Sequence, residues 1–235
     1  MRFRASLALC LLAGLAAGRP GELGAAGAHG TLSLEDEFVK GVFSPNFVAP
    51  AAGSYELPAI RRVAGFVLTD SAGRSVSTRE VTAGKVAVVS FIYTACPERL
   101  GCPLASLALR DLQGRLRDEG LSRDVALLTI SFDPGRDSPA QLAKYARVYG
   151  ADSAFWRFMT APSPRVLEDL LDSYGQDRAP VYDERGRFTG RYRHVLKVFL
   201  VDEAGYVRNI YSAGFLVPDL VVNDIKTVLA GPASR

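Results

Sequence analysis

The strongest constraint on the fold is a pair of unbroken apolar runs, KVAVVSFIY (residues 85–93) and VALLTISFD (residues 125–133). Neither alternates apolar with polar residues, so neither can lie with one face in water; each reads as a strand covered on both faces. Between them, PLASLALRDLQGRLRDEG carries Leu104, Leu107, Leu112 and Leu116 at helical spacing, with Pro103 at its start and Gly120 at its end. Two doubly buried strands separated by a helix call for parallel pairing through a crossover, and hence for an α/β sheet with helices on its faces.

The remaining pattern extends this core in both directions. FVLTDSAGRSVS reads as a short hairpin turning at Ser71-Ala72-Gly73. Ser138-Pro139-Ala140-Gln141 has the form of a capping box ahead of the helix SPAQLAKYARVYG. FWRFMTA is a further strand, and Ser163-Pro164 opens the helix PRVLEDLLDSYG. LKVFLVDEAGYVRNIYS forms a second hairpin around Glu203-Ala204-Gly205, and VPDLVVNDIKTVLAG a last helix. This order predicts a thioredoxin-like α/β fold over residues 63–235: a central mixed sheet flanked by helices, with an N-terminal hairpin extension. Residues 19–62, first Gly/Ala-rich and then interrupted by Pro45, Pro50 and Pro58, read as an extended lead-in. Residues 176–194 are polar and aromatic and read as a surface excursion. There is no internal repeat, and 235 residues at 48% hydrophobic composition suit one core.

The first 18 residues have the layout of a secretory signal: Arg2 and Arg4, an apolar run from Ala5 to Ala17, then small residues. The run is short for a bilayer span, so export followed by cleavage after Ala17 or Gly18 is the first expectation, and an uncleaved membrane anchor the second. Either places the folded part in the periplasm or another extracytoplasmic space. Cleavage after Ala28 is a remoter option that leaves His29 at the new N-terminus, able to chelate copper; the plainer reading there is a flexible linker. Loss of Arg2 and Arg4 takes the net charge from +3 to +1. With no basic stripe, nucleic acid is not an expected partner.

Cys10 leaves with the signal, so the mature chain has two cysteines, Cys96 and Cys102, and at most two histidines, His29 and His194. Cys96 follows the end of a central strand, and Cys102 stands about at the N-cap of the next helix, just before Pro103. Strand carboxyl ends face the crevice where open α/β sheets bind ligands, and a helix N-terminus favours thiolate. Three readings stay open for the cysteines: a redox pair, a metal clamp, or a disulfide tying a loop to a helix. His194, before the strand LKVFLV, is expected beside the same crevice, although a loop histidine bonded to backbone explains it equally well taken alone. Two thiolates and one imidazole suit copper, whereas zinc calls for a fourth ligand. Asp133, at Asp133-Pro134, is expected to bond its own turn, with partnership to His194 or Cys96 as the alternative. Arg136 and Asp137 read as a local ion pair. Tyr93 reads equally as core or as crevice lining.

From about Ala64 to Leu229 the chain resembles the Sco (SenC) family. FVLTDSAGRSVS…KVAVVSFIYTACPERLGCP is similar to its lead-in hairpin, central strand and cysteine motif. TISFDPGRDSPAQLAKYA is similar to its Asp-Pro-x-Arg-Asp stretch, and His194 before an apolar strand to its copper-ligating histidine. The resemblance implies a thioredoxin fold, copper held by Cys96, Cys102 and His194, and delivery to a cuproprotein, with a cytochrome c oxidase subunit as the expected recipient. Two departures accompany it: five residues, rather than the family's three, separate the cysteines, and Arg193 stands where an acidic residue is expected. The rival expectation is a thiol–disulfide reductase, using Cys96 and Cys102 as a redox pair to keep a partner's metal-ligating cysteines reduced. A thiol peroxidase, suggested by Tyr93-Thr94-Ala95-Cys96, is the third.

Overall fold

A computed structural model describes residues 47–231. The readings of a leader at 1–18, of Cys10 and of His29 lie outside the described residues.

The two apolar runs become β4 (Val86–Ile92) and β5 (Val125–Ser131), every residue of both buried. They pair in parallel, Val86 against Val125 through Ile92 against Ser131. The helix between them, α2 (Cys102–Asp118), buries Leu104, Leu107, Leu112 and Leu116. The register also accounts for the polar residues inside the runs. Ser90 lies opposite Thr129, their hydroxyls are 2.9 Å apart, and the indole N–H of Trp156 donates to the Thr129 hydroxyl at 2.9 Å. Ser90, Thr129 and the Trp156 indole thus each have a partner, which is what makes their burial tolerable.

Around this pair, β1 (Arg61–Arg62), β2 (Val67–Asp70), β3 (Ser75–Ser77), β6 (Trp156–Thr160), β9 (Val198–Val201) and β10 (Tyr206–Tyr211) complete an eight-stranded mixed sheet in the order β1-β10-β9-β4-β5-β6-β2-β3. β5 and β6 pair in parallel, while β9 runs antiparallel to β4. Helices flank the sheet. They are α1 (Thr78–Val81), α3 (Pro139–Val148), α4 (Pro164–Tyr174) and α5 (Pro218–Leu229), with α2 and α5 packed together. Caps form at the expected serines, Ser138 accepting from the Gln141 amide and Ser163 from the Val166 amide. Only half of the predicted capping box is made, because the Gln141 side chain turns instead to Thr94. α4 stops at Gly175, whose φ of +66° a side chain would strain.

Two segments differ from the sequence expectation. Residues 176–194 are not a bare excursion: they contain the ribbon β7 (Ala179–Tyr182) and β8 (Phe188–Arg193), paired antiparallel as a second small sheet. Sheet pairing also begins before Val63, since Arg61 and Arg62 pair with Val207 and Tyr206. Upstream, residues 50–57 run against α5 and β10. The Gly53 amide donates to Thr227, the Tyr55 hydroxyl to Asp224, Asn223 to the Pro50 carbonyl, and Arg208 to the Leu57 carbonyl. No described helix is long and apolar enough to cross a membrane.

Candidate metal centre

The strand order fixes where the cysteines and the histidine meet. β4 delivers Tyr93, Thr94 and Cys96 beyond its carboxyl end. β9 runs back antiparallel beside it with Val198 opposite Ser90, so the chain just before β9, which holds His194, arrives at the same edge. Between the cysteines the chain turns twice: the Cys96 amide donates to the Tyr93 carbonyl at 3.2 Å, and the Gly101 amide to the Glu98 carbonyl at 2.9 Å. Gly101 is the N-cap of α2, and Cys102 is its first residue. A Cβ at Gly101 would stand 3.2 Å from the Glu98 carbonyl oxygen, so this close turn favours glycine.

The three side chains converge. Cys102 Sγ is 3.7 Å from His194 Nε2, and one donor atom from each of Cys96, Cys102 and His194 lies within 4.8 Å of the others. Both thiols are free. The imidazole's other nitrogen, Nδ1, faces the Tyr192 carbonyl at 3.5 Å. A proton on Nδ1 leaves the Nε2 lone pair facing the sulfurs. His194 is walled by rings: Phe132 at 5.0 Å and Tyr93 at 5.8 Å between centroids, with Tyr192 packed edge-on against both Tyr93 and Phe132.

The two sulfurs are unlike. Cys102 is 1% exposed whereas Cys96 is partly exposed. Hydrogen bonding from the Cys102 thiol, aided by backbone amides, holds the Cys96 thiol down to about 5 against the cost of its burial. Burial pushes the Cys102 thiol well up, and its bond to Cys96 adds to this. The sequence placed the favoured thiolate at Cys102 on the strength of the helix N-terminus. Desolvation outweighs that dipole, which contributes on the order of 0.3–2 kcal/mol, and the charge settles on the more exposed Cys96.

A polar frame holds the three in place. Asp137 does not pair with Arg136 as the sequence suggested. It is 1% exposed and accepts from the Thr94 amide at 3.0 Å, the Thr94 hydroxyl at 2.5 Å and the Ser131 hydroxyl at 2.5 Å. The Thr94 hydroxyl is thereby committed to a carboxylate. Arg136 instead bonds Asp133 and the Gly190 carbonyl, and lies over the Phe188 ring. Asp133 accepts from the Tyr192 hydroxyl at 3.1 Å, so its tie to His194 runs through Tyr192, two residues away. On the other side of the histidine, Gln176 donates to the Val195 carbonyl at 3.1 Å. Sequence reasoning missed Gln176 and Arg178, which stacks on Tyr192 at 5.0 Å; their only signal was a polar segment just upstream of His194.

Two sulfurs and one imidazole form a soft donor set that fits a monovalent copper ion; the imidazole also accommodates the divalent state. The family model described as SCO1/SenC matches residues 56–230. The SCO1 protein homolog of Bacillus subtilis is 31% identical over 164 residues, covering 69% of this chain and 80% of that protein. Among solved structures, BsSco, described as a Sco-family cytochrome c oxidase assembly protein with a disulfide switch, superposes with a TM-score of 0.60 at 28% identity, covering 74% of this chain and 98% of that one. Arabidopsis thaliana ScoI with copper bound shares the fold, with a TM-score of 0.58 at 21% identity over 72% of this chain and 98% of its own.

Proposed function

The chain belongs to the SCO1/SenC family, and from that membership we propose that it is an exported copper-binding assembly protein. Cys96, Cys102 and His194 hold the ion, and the protein hands it to a cuproprotein, with a subunit of cytochrome c oxidase as the recipient. The observation that carries this reading is the convergence of three donor atoms within 4.8 Å from chain segments far apart in sequence. Export rests on the leader-like residues 1–18. The oxidase assignment draws on the description given to BsSco.

Copper is cargo here, and the residues divide its handling. Cys102, buried at the base, and His194, fixed through Tyr192 and Val195, form the inner wall. Cys96 is the exposed sulfur, the one an incoming partner ligand can reach first, so transfer by stepwise ligand exchange begins there.

The test is copper titration of the reduced protein beside His194→Ala, followed by sulfur-to-copper charge-transfer absorption. One tightly bound copper with thiolate bands, weakened at least tenfold or reshaped in the variant, supports the site. Absence of stoichiometric copper refutes it.

One observation favours a second reading, the thiol–disulfide reductase. The partly exposed, acidic Cys96 and the buried, protonated Cys102 make a ready attacking and resolving pair. In that mechanism the Cys96 thiolate attacks a partner disulfide and expels one partner thiolate. Cys102 then gives up its proton and attacks Cys96, releasing the second partner thiolate and closing the Cys96–Cys102 disulfide. Under this reading His194→Ala leaves exchange rates intact.

A further inference from the structure

The two faces of the β7–β8 ribbon have different surroundings. One packs on the metal centre: Tyr192 is buried against Tyr93 and Phe132, and its hydroxyl donates to Asp133. Side chains alternate along a strand, so Arg191 and Arg193, on either side of Tyr192, stand on the other face, and both are exposed. Across the ribbon they lie opposite Val181 and Ala179, which carry no charge. Arg193 directly precedes His194, so this face begins beside the candidate ligands.

The other charges nearby are matched. At the ribbon's turn Asp183 accepts from Arg187 at 2.9 Å, and Glu184 and Arg185 offset one another in formal charge. Glu98 and Arg99 do the same in the loop between the cysteines. Asp133 is bonded by Arg136, and Asp177 has Lys197 at 4.0 Å. Arg191 and Arg193, by contrast, have no carboxylate partner among the described residues. Two residues apart on one strand face, their stems are about 7 Å from one another. The whole chain carries only +3, so this is a local field and not a share of a general excess. Two uncovered apolar side chains adjoin the same ligands. Val195, on the other side of His194, is 63% exposed, and Leu100, in the loop between the cysteines, is 42% exposed.

We propose that the Arg191–Arg193 face of the ribbon, with Val195 and Leu100 beside it, receives an acidic segment of the protein that exchanges with Cys96. Apolar contacts next to the reacting groups and charge at the rim are the usual division of a protein–protein contact. The arginines steer the approach and select an acidic partner, while the apolar pair supplies close contact. An anionic membrane offers the arginines a charge as well, but it brings no donor atom to Cys96. Resting on the reading of Cys96 as the point of exchange, the assignment holds for copper transfer and for disulfide reduction alike.

The test is thiol–disulfide exchange between the reduced, metal-free protein and two synthetic probes. These are symmetric disulfides of short peptides whose single cysteine is flanked by glutamates in one and by lysines in the other. Each rate is divided by that of dithiodipyridine, a neutral disulfide that reads the reactivity of Cys96 itself. The parent is expected to favour the glutamate probe by about tenfold at low salt, with the preference fading at high ionic strength. Arg191→Glu combined with Arg193→Glu reverses the preference. Lys85→Glu combined with Arg123→Glu makes the same change of net charge at the opposite edge of the sheet, ahead of β4 and β5, and leaves the preference in place. A parent ratio within about twofold of unity overturns the proposal, as does a ratio that the arginine changes leave alone or that both double variants move equally. Binding to phosphatidylglycerol vesicles that needs Arg191 and Arg193, without any peptide preference, overturns it too and gives the face to a membrane. No arm needs copper, so a parent protein that fails to bind copper refutes the copper reading and leaves this measurement decisive.

Discussion

Replacement of Asp137 by alanine removes one acceptor from three donors at once. The Thr94 amide, the Thr94 hydroxyl and the Ser131 hydroxyl all end on this carboxylate. Gln141 cannot stand in, because its Nε2 is itself a donor to the Thr94 oxygen. Each orphaned donor costs on the order of 1–3 kcal/mol, and hydrogen bonds to a charged acceptor lie toward the upper end. Against this, alanine relieves the desolvation of a buried charge, the first cause of the raised Asp137 carboxyl pKa. The net expectation is a loss of about 3 kcal/mol, or a fall in Tm of about 6–12 °C for a chain of this size. Asp137→Asn keeps one acceptor oxygen and is expected to lose about 1 kcal/mol. The sign with pH follows from the raised folded-state value. The carboxyl's stabilising contribution is full below its unfolded value, about 3.9, and is lost as pH rises through the folded one. The advantage of aspartate over asparagine is therefore smallest at neutral pH and grows on acidification. Urea unfolding at pH 7 and pH 5 measures both effects. Asp137→Ala within 1 kcal/mol of the parent, or an aspartate advantage that shrinks toward pH 5, would refute the accounting.

Two further expectations concern the site and its buttress. In the reduced, metal-free protein, alkylation of Cys96 by iodoacetamide should reach half its maximal rate near pH 5, while Cys102 stays unmodified until the protein unfolds. The Cys96 pKa is depressed, so the stability contributed by its thiolate is present above the unfolded thiol value and lost as pH falls through about 5; a half-rate near pH 8 rejects the assignment. Asp224→Ala strands the Tyr55 and Tyr211 hydroxyls and the Asn209 amide. It should cost about 3 kcal/mol and speed hydrogen exchange over residues 50–57, and unchanged exchange there means that other contacts hold this segment.

The site was legible because its three donors are chemically rare in this chain and flank apolar runs whose strand character is plain. β4 and β5 could be recognised for the same reason: seven-residue apolar stretches leave little choice. What stayed hidden depends on direction rather than identity. Asp137 beside Arg136 suggests an ion pair, yet the turn after β5 points the carboxylate inward to Thr94 and the guanidinium outward to Gly190. Cys102 before Pro103 suggests a dipole-stabilised thiolate, yet the first turn of α2 carries that sulfur into the core, where desolvation prevails. β7 and β8 escaped notice because Val181, Tyr182, Phe188 and Tyr192 are spread among arginines and glycines, and only Tyr192 reaches the core. Tyr93 balanced between core and crevice in the sequence and proves to be both.

The donors also differ in when the chain can bring them together. Cys96 and Cys102 lie within one loop, but His194 comes from 92 residues beyond Cys102. A partly folded chain therefore owns a two-sulfur clamp before it owns the imidazole, since closing the long loop waits on β9 docking against β4. On the proposed function, copper met at that stage would be held by sulfur alone, and completion of the sheet would add the third donor around an ion already in place. The order in which metal and fold arrive then becomes a variable of its own, because ligand capture before docking removes freedom from the very loop that must close.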